Sequence, residues 1–220
     1  MWIDVEQNTE EWHQLRVGRI GGSSLGCVMA HHDKPLQNGS PRWGDPAKRL
    51  ALKKALEQIT GVGVNGGELK SPHLDRGHAE EPIARELYEE KKLCEVKNGG
   101  YYTYSDDIGV SPDGRVGEKG LIEIKSVIYP VHAATLKKNT YDSKYKWQLF
   151  MELLVGGAED GREWIDYVSY CSEYPPPANL FIKRLHKKDF TEEFTAINNR
   201  LKEFRVLVDS EKAFIKRTVG

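Results

Sequence analysis

The stretch GVSPDGRVGEKGLIEIKS, residues 109–126, decides how this chain folds, because it joins two turn signals to a run whose alternation fits a strand. Pro112-Asp113-Gly114 ends one strand, and Gly117-Glu118-Lys119-Gly120 turns the next back on itself. In LIEIKSV an extended backbone puts Leu121, Glu123 and Lys125 on one face and Ile122, Ile124 and Ser126 on the other. One face then belongs to a core and the other to a site. A solvated edge strand with a same-face Glu/Lys pair is the plain alternative, since surface pairs contribute little. The hairpin counts against it: returning through Gly117 and Gly120, it brings the carboxylate of Asp113 beside Glu123. Adjacent carboxylates repel unless a cation lies between them. Mg²⁺ suits that place, because it takes hard oxygen ligands and keeps several waters. Lys125, projecting beside them, can steady developing charge or help activate water.

Outward from this stretch, residues 94–128 carry Asn-Gly, Pro-Asp-Gly and Glu-Lys-Gly turns between short runs of period two, and read as the sheet. Upstream, residues 10–30 predict a helix start, a glycine-rich break at Gly18, Gly21 and Gly22, and a second helix capped by Ser23 or Ser24. Residues 31–46 read as a loop, and AKRLALKKALEQITG as a helix stopped by Gly61. GVGVNGGELKSPHLDRG reads as a second loop. The following EEPIARELYEEKK predicts an amphipathic helix with Pro82 at its first position and Ile83, Leu87 and Tyr88 facing inward. Downstream, residues 131–143 are helical or irregular, and KYKWQLFMELLVGG predicts a buried helix ended by Gly156 and Gly157. Two strands, EWIDYVSYCSE and NLFIKRLHK, and a closing helix from about Thr191 to Phe214 complete the pattern.

The chain has 220 residues with 39% hydrophobic content, which points to a single domain, 1–220, around one core. Lys and Arg number 32 against 33 Asp and Glu, so any DNA-binding surface must be local. Cys27, Cys94 and Cys171 have no Cys-x-x-Cys spacing, which argues against a zinc site or a disulfide framework. The acidic first fifteen residues are unlike a signal peptide, and no apolar run approaches the ~20 residues that span a bilayer. A soluble cytoplasmic protein with no membrane partner is the expectation.

Ser-Pro-Asp113-Gly, nine residues and then Glu123-Ile124-Lys125 resembles the active-site signature of the PD-(D/E)XK nuclease superfamily. Three further segments, in order, resemble the phage lambda exonuclease (YqaJ-type viral recombinase) family. EEWHQLRVGRIGGSS is similar to its N-terminal Trp-His-x-Leu-Arg-x-Gly-x-Ile element, RGHAEEPIARELYE to its Gly-x-x-x-Glu-x-x-Ala helix, and YKWQLFMELLV to its glutamine-bearing helix. The similarity runs from about residue 10 to residue 155, with no motif beyond.

The resemblance implies an α/β fold with a restriction-endonuclease-like core, a mixed β-sheet flanked by α-helices. It implies that Asp113, Glu123 and the backbone carbonyl of Ile124 ligate Mg²⁺, that Lys125 is catalytic, and that Glu81 helps hold a second ion, with Mn²⁺ able to substitute. Glu80 leaves the register of that carboxylate open, and a solvated carboxylate favoured by the helix dipole is its plainer reading. Gln148 corresponds to a glutamine near the active site. Arg16, Ser23 and Ser111 correspond to a pocket for a terminal phosphate, a role that a glycine turn feeding a helix N-terminus suits. Leu74 corresponds to a residue that wedges the duplex, though an anchoring loop leucine fits it as well. Where the family has Thr-Ala-Ser this chain has Gly21-Gly22-Ser23, which lowers the pocket's hydroxyl count. The implied activity is 5′-to-3′ digestion of one strand of linear double-stranded DNA from 5′-phosphorylated ends to mononucleotides. The implied partners are two more copies in a homotrimer ring and a single-strand annealing protein of phage recombination. A structure-specific endonuclease and an inactive DNA-binding module are the alternatives.

The remaining charges carry weaker signals. Lys137, Lys138, Lys144, Lys146, Arg184, Lys187 and Lys188 could track phosphates, but scattered lysines are usually solvated. His31 and His32 lack partners at metal-ligand spacing, and Tyr101, Tyr102 and Tyr104 fit sheet packing better than base stacking. No Walker motif is present, so no ATP-driven movement is expected.

Overall fold

The computed structural model describes residues 1–30, 37, 39, 41–64 and 72–218, with the side chains of all but 72–75. The N-terminal half runs β1 (Trp2–Ile3), α1 (Glu10–Arg16), α2 (Gly22–Met29), α3 (Asp45–Thr60) and α4 (Pro72–Lys92). The strands β2 (Val96–Asn98), β3 (Tyr101–Ser105), β4 (Ile108–Val110), β5 (Gly114–Val116) and β6 (Gly120–Ser126) follow. Then come α5 (Tyr129–Lys138), α6 (Lys146–Glu159), β7 (Trp164–Tyr170), β8 (Leu180–His186) and α7 (Thr191–Thr218).

The main sheet has the order β2-β5-β6-β7-β8 and is mixed: β6 and β7 are parallel and every other pair is antiparallel. The parallel pair needs a crossover, which α5 and α6 supply. A smaller antiparallel sheet, β1-β3-β4, lies beside it. The Glu-Lys-Gly turn makes a true hairpin between β5 and β6, in register Gly114 opposite Ile122. The Asn-Gly and Pro-Asp-Gly turns do not close hairpins. Each carries the chain from one sheet to the other, because β2 pairs with β5 and β3 with β4.

Both faces of β6 contribute to a core, so the face that carries the site, Leu121, Glu123 and Lys125, is itself core at Leu121 and lines the cleft beyond it. Leu121 packs in the main core with α2, α3, α6 and α7, whereas Ile122 and Ile124 pack in a second cluster with Ala84 and Tyr88 of α4. Glu123 lies on the α6 side at 1% exposure. A charged residue there sits inside the molecule.

Helix boundaries differ from the sequence reading for identifiable reasons. Helix α4 starts at Pro72 and runs through Pro82, which is inside it rather than at its first turn. Arg76 and Glu80 bond Ser126 before the proline, and Ala84 and Tyr88 are buried after it, so tertiary anchors on both sides offset the lost backbone bond. Ile83 is exposed, whereas Leu87 and Tyr88 face inward as expected, with Ala84 buried beside them. Helix α6 continues through Gly156 and Gly157, which are small because Leu121, Arg162 and Lys187 press against them. The left-handed residue beyond its end is Gly161, φ 64°. Helix α2 opens at Gly22, not at a serine, and Ser24 in its first turn exchanges hydrogen bonds with Gly21 N–H (3.2 Å) and C=O (2.9 Å). The C-terminal helix extends four residues past Phe214, to Thr218.

Candidate active site

A cleft of 780 Å³ runs along the end of β6, and its walls include Arg16, Ser23, Glu81, Ser111, Asp113, Glu123, Ile124, Lys125 and Gln148. All but one of the site residues that the resemblance implies therefore line one cleft. The exception is Leu74, whose side chain lies outside the described residues, as do His31 and His32.

The hairpin builds the centre. Asp113 precedes β5, and its Oδ2 accepts the backbone N–H of Ile124 at 2.6 Å. Its backbone carbonyl accepts from Arg85 Nη2 at 2.6 Å, and the same Nη2 stands 3.4 Å from Glu81 Oε1. Glu80 points elsewhere, to the hydroxyls of Ser126 (2.5 Å) and Ser172 (2.6 Å), so Glu81 is the carboxylate of this pair that faces the cleft. On the other side, Oε1 of Glu123 accepts from Lys125 Nζ and from Gln148 Nε2, each at 2.5 Å.

Burial dominates the electrostatics. It raises the carboxyl of Asp113, against the pull of Lys125, the Ile124 N–H and Arg85. Burial and the Asp113 charge together push Glu123 and Glu81 up to about 7. Burial alone would lower Lys125, but Glu123 and Asp113 outweigh it and hold the ammonium protonated well past its ordinary range. In this arrangement Lys125 is held as the ammonium, which can steady negative charge.

The donor set fits a hard divalent cation. Oε2 of Glu123 is buried without a hydrogen-bond partner among the described residues, beside a second carboxylate that shares the cleft. Such an oxygen is costly unless a proton, a donor or a cation satisfies it, and a divalent cation would satisfy both carboxylates at once. No cage of three or more His, Cys, Asp or Glu side chains stands assembled among the described residues. Lys125 and the Ile124 amide occupy one oxygen each of Glu123 and Asp113.

The other end of the cleft is cationic. The Arg16 guanidinium lies over the Trp12 ring, 4.0 Å from its centroid. Trp12 Nε1 donates to Ser111 Oγ (2.8 Å), which donates to the Gly100 carbonyl (2.7 Å). The hydroxyl of Ser111 thus steadies the tryptophan under Arg16. Gly18, at φ 72°, is clamped by α3: Glu57 Oε2 accepts its N–H at 3.0 Å and Gln58 Nε2 donates to its carbonyl at 2.8 Å. Lys54, buried on the same helix, donates to Glu57 Oε2 at 2.7 Å and also lines the cleft.

Several wall residues were not singled out in the sequence. Glu152 is 1% exposed, accepts from Gln148 Nε2 at 3.0 Å, and is raised well above the usual carboxylate range by burial and by Glu123. Its place one helical turn after Gln148 is the signal that would have found it. Tyr145 lies under Lys125, and Arg76 bonds Ser126. Of the scattered basic residues, Lys144 reaches the cleft. Arg184 instead pairs with buried Asp166 at 2.8 Å and stacks on Trp164, so it is a structural ion pair. Lys146 pairs with Glu193 at 3.9 Å, and Tyr101 and Tyr102 are buried in the sheet as expected.

The model of the YqaJ-like viral recombinase domain matches residues 11–159. The chain belongs to that family. Among solved structures it is similar to an alkaline exonuclease, LHK-Exo, from Laribacter hongkongensis, at 26% identity and TM-score 0.78, over 96% of this chain and 98% of that one. The complex of LHK-Exo with dAMP gives TM-score 0.77 at the same identity and coverage. A phage related exonuclease from Haemophilus somnus 129PT shares the fold at 13% identity and TM-score 0.63 over 92% of this chain and 96% of that one. No curated protein compared with the sequence matches it. The architecture of this YqaJ-family chain is the restriction-endonuclease-like α/β core, and the fold similarity extends past the last motif into the C-terminal strands and helix. Among the described residues no helix is long and apolar enough to cross a membrane.

Proposed function

We propose that this protein is a Mg²⁺-dependent DNA exonuclease that digests one strand of linear duplex from its 5′ end to mononucleotides. The convergence of Asp113, Glu123, Glu81 and Lys125 with the Arg16 end of the same cleft carries this reading. The exonucleases among its structural relatives, one of them holding dAMP, support it. Asp113, Glu123, the Ile124 carbonyl and Glu81 would hold two Mg²⁺ ions, or Mn²⁺ in their place. The chemistry such ions supply is Lewis-acid activation of water and neutralisation of the attacked phosphate.

The chain's own residues do the rest. Lys125, kept protonated by its two carboxylates, sits where negative charge develops on the phosphate. Gln148 fixes the orientation of Glu123. Arg16 supplies a permanent charge and a planar fork of donors for a terminal phosphate, and Ser23 lies at the N-terminal turn of α2 beside it. The same reading makes the working assembly a homotrimer ring around DNA, acting beside a single-strand annealing protein in phage-type recombination. Light scattering of the purified protein tests the ring.

The activity is tested with two substrates in Mg²⁺. Linear duplex should be digested to mononucleotides, while a covalently closed circle should stay intact. A nicked circle would establish an endonuclease, and an untouched linear duplex would leave a DNA-binding module.

A further inference from the structure

We propose that Glu152 is a positioning residue for the cation site: its Oε1 anchors the Gln148 amide, so that Glu123 keeps its donors on Oε1 and presents Oε2 to the cation. This rests on the reading of Asp113 and Glu123 as cation ligands. Gln148 and Glu152 are one turn apart on α6 and meet on the same face. The amide nitrogen of Gln148 has two hydrogens, and both are committed, to Glu123 Oε1 at 2.5 Å and to Glu152 Oε1 at 3.0 Å. With two carboxylate oxygens in front of it, the amide cannot flip without turning its own carbonyl oxygen toward them. Lys125 Nζ donates to the same Oε1 of Glu123. Two donors on one oxygen hold the carboxylate in one orientation and leave Oε2 buried, with no protein donor but a proton shared with the neighbouring Glu152 carboxyl.

Besides Gln148, Glu152 meets the carboxyl of Glu123. It is the one charged residue in the buried run Leu149–Val155, and it has no ion-pair partner among the described residues. Its own Oε2 is buried and unsatisfied. The neighbouring helix makes space for it: a Cβ on Gly22 would come 3.1 Å from Glu152 Oε1 and 3.3 Å from Gln148 Cγ. A buried, unpaired carboxyl on an apolar helix weakens the fold, so replacing it by an apolar side chain of similar length is neutral or stabilising. Stability and cation binding should therefore respond to Glu152 in opposite directions.

The test uses the full chain, Mn²⁺ titration calorimetry and thermal melting without metal, beside digestion of linear duplex. Glu152→Met should weaken Mn²⁺ binding about tenfold, the scale of outer-shell losses, with a metal-free Tm equal to or above that of wild type. Glu152→Gln should stay near wild type in Mn²⁺ affinity, because its amide oxygen still accepts from Gln148. Gln148→Leu, which leaves Glu152 in place, should lose affinity to a similar degree, and the double variant should lose no more than either single one. Unchanged affinity in Glu152→Met, a Glu152→Gln as weak as Glu152→Met, or additive losses in the double variant would each overturn the role. Should Glu152→Met not fold, undiminished affinity in Gln148→Leu overturns it alone. A wild-type protein that binds no Mn²⁺ overturns the cation reading itself, and the role of Glu152 with it.

Discussion

Oδ2 of Asp113 accepts the backbone N–H of Ile124 at 2.6 Å, which ties the turn between the two sheets to the middle of β6. The bond spends one carboxylate oxygen on the fold and leaves the other for the cleft. Asp113 therefore has a structural and a chemical role, and the two can be separated.

Asp113→Ala removes both oxygens and strands the buried Ile124 amide, whereas Asp113→Asn keeps an acceptor and removes the charge. Both variants should fail to digest linear duplex. Asp113→Ala should be the less stable of the two by about 1–3 kcal/mol, the cost of an unsatisfied buried donor. Thermal melting beside the digestion assay checks this, and residual digestion by folded Asp113→Asn would remove the carboxylate from the chemistry.

Burial pushes Glu123 and Glu81 up to about 7, so each takes up its proton more readily folded than unfolded. A raised acid binds more protons in the native state, and the stability it contributes is full below its unfolded value and is lost as pH rises to its folded one. The metal-free protein should therefore lose Tm between about pH 5 and pH 8. Mg²⁺ competes with those protons, so the Tm gain on adding Mg²⁺ should be larger at pH 8.5 than at pH 6. A Mg²⁺-induced shift that is flat or falls with pH would contradict the placing of the cation on these carboxylates.

Gly99 sits where the chain crosses between sheets, and a Cβ there would overlap the Pro112 carbonyl oxygen, with Gly114 N at 3.1 Å. Both neighbours are backbone and flank Asp113, so neither can yield without moving the site. Gly99→Ala should destabilise by roughly 1–3 kcal/mol, the usual cost of overpacking, or more. The folded fraction should also turn over more slowly than wild type. Gly117→Ala, at φ 54° with open space around its Cβ position, should cost about 1 kcal/mol and leave turnover per folded molecule unaltered. Equal effects of the two variants on turnover would show that the crossing does not set the site.

How much was legible in the sequence follows from how local each signal was. The β5–β6 hairpin needed only its own turn residues, and with it came Asp113 opposite Glu123. The helix α3 and its Gly61 stop were likewise written in a single window. The sheet exchange at Asn98-Gly99 was not, because a turn sequence records a change of direction and says nothing about which strand pairs next. Pro82 and Gly156 were read as helix limits by local preference, and tertiary contacts overrode both. Glu152 was passed over because an acidic residue on a helix reads as a solvated face until its burial is known. The buried pair Lys54 and Glu57 was hidden in the same way, among alanines too small to mark the inward stripe of α3.

Arg16 gives the sharpest test of direction. It lies over Trp12, whose indole is held by Ser111, while α3 clamps Gly18 just beyond it, so its guanidinium is presented to the cleft by three separate elements. An internal phosphodiester carries one negative charge, whereas a terminal 5′ phosphate carries up to about two. A fixed cation at that end of the cleft should prefer the phosphorylated terminus and hold it after each cleavage. Arg16→Ala should therefore shrink the rate ratio between 5′-phosphorylated and 5′-hydroxyl duplex and shorten the run of nucleotides removed per encounter. Arg16→Lys, which keeps the charge but not the planar fork, should fall between. Mn²⁺ affinity should be unaltered in both, since the groups that hold Asp113 and Glu123 are Ile124, Lys125 and Gln148, and this separates a pocket defect from a collapsed site. A wild-type ratio near one, or a large ratio that survives in Arg16→Ala, would remove Arg16 from end recognition and leave it as a residue that packs on Trp12.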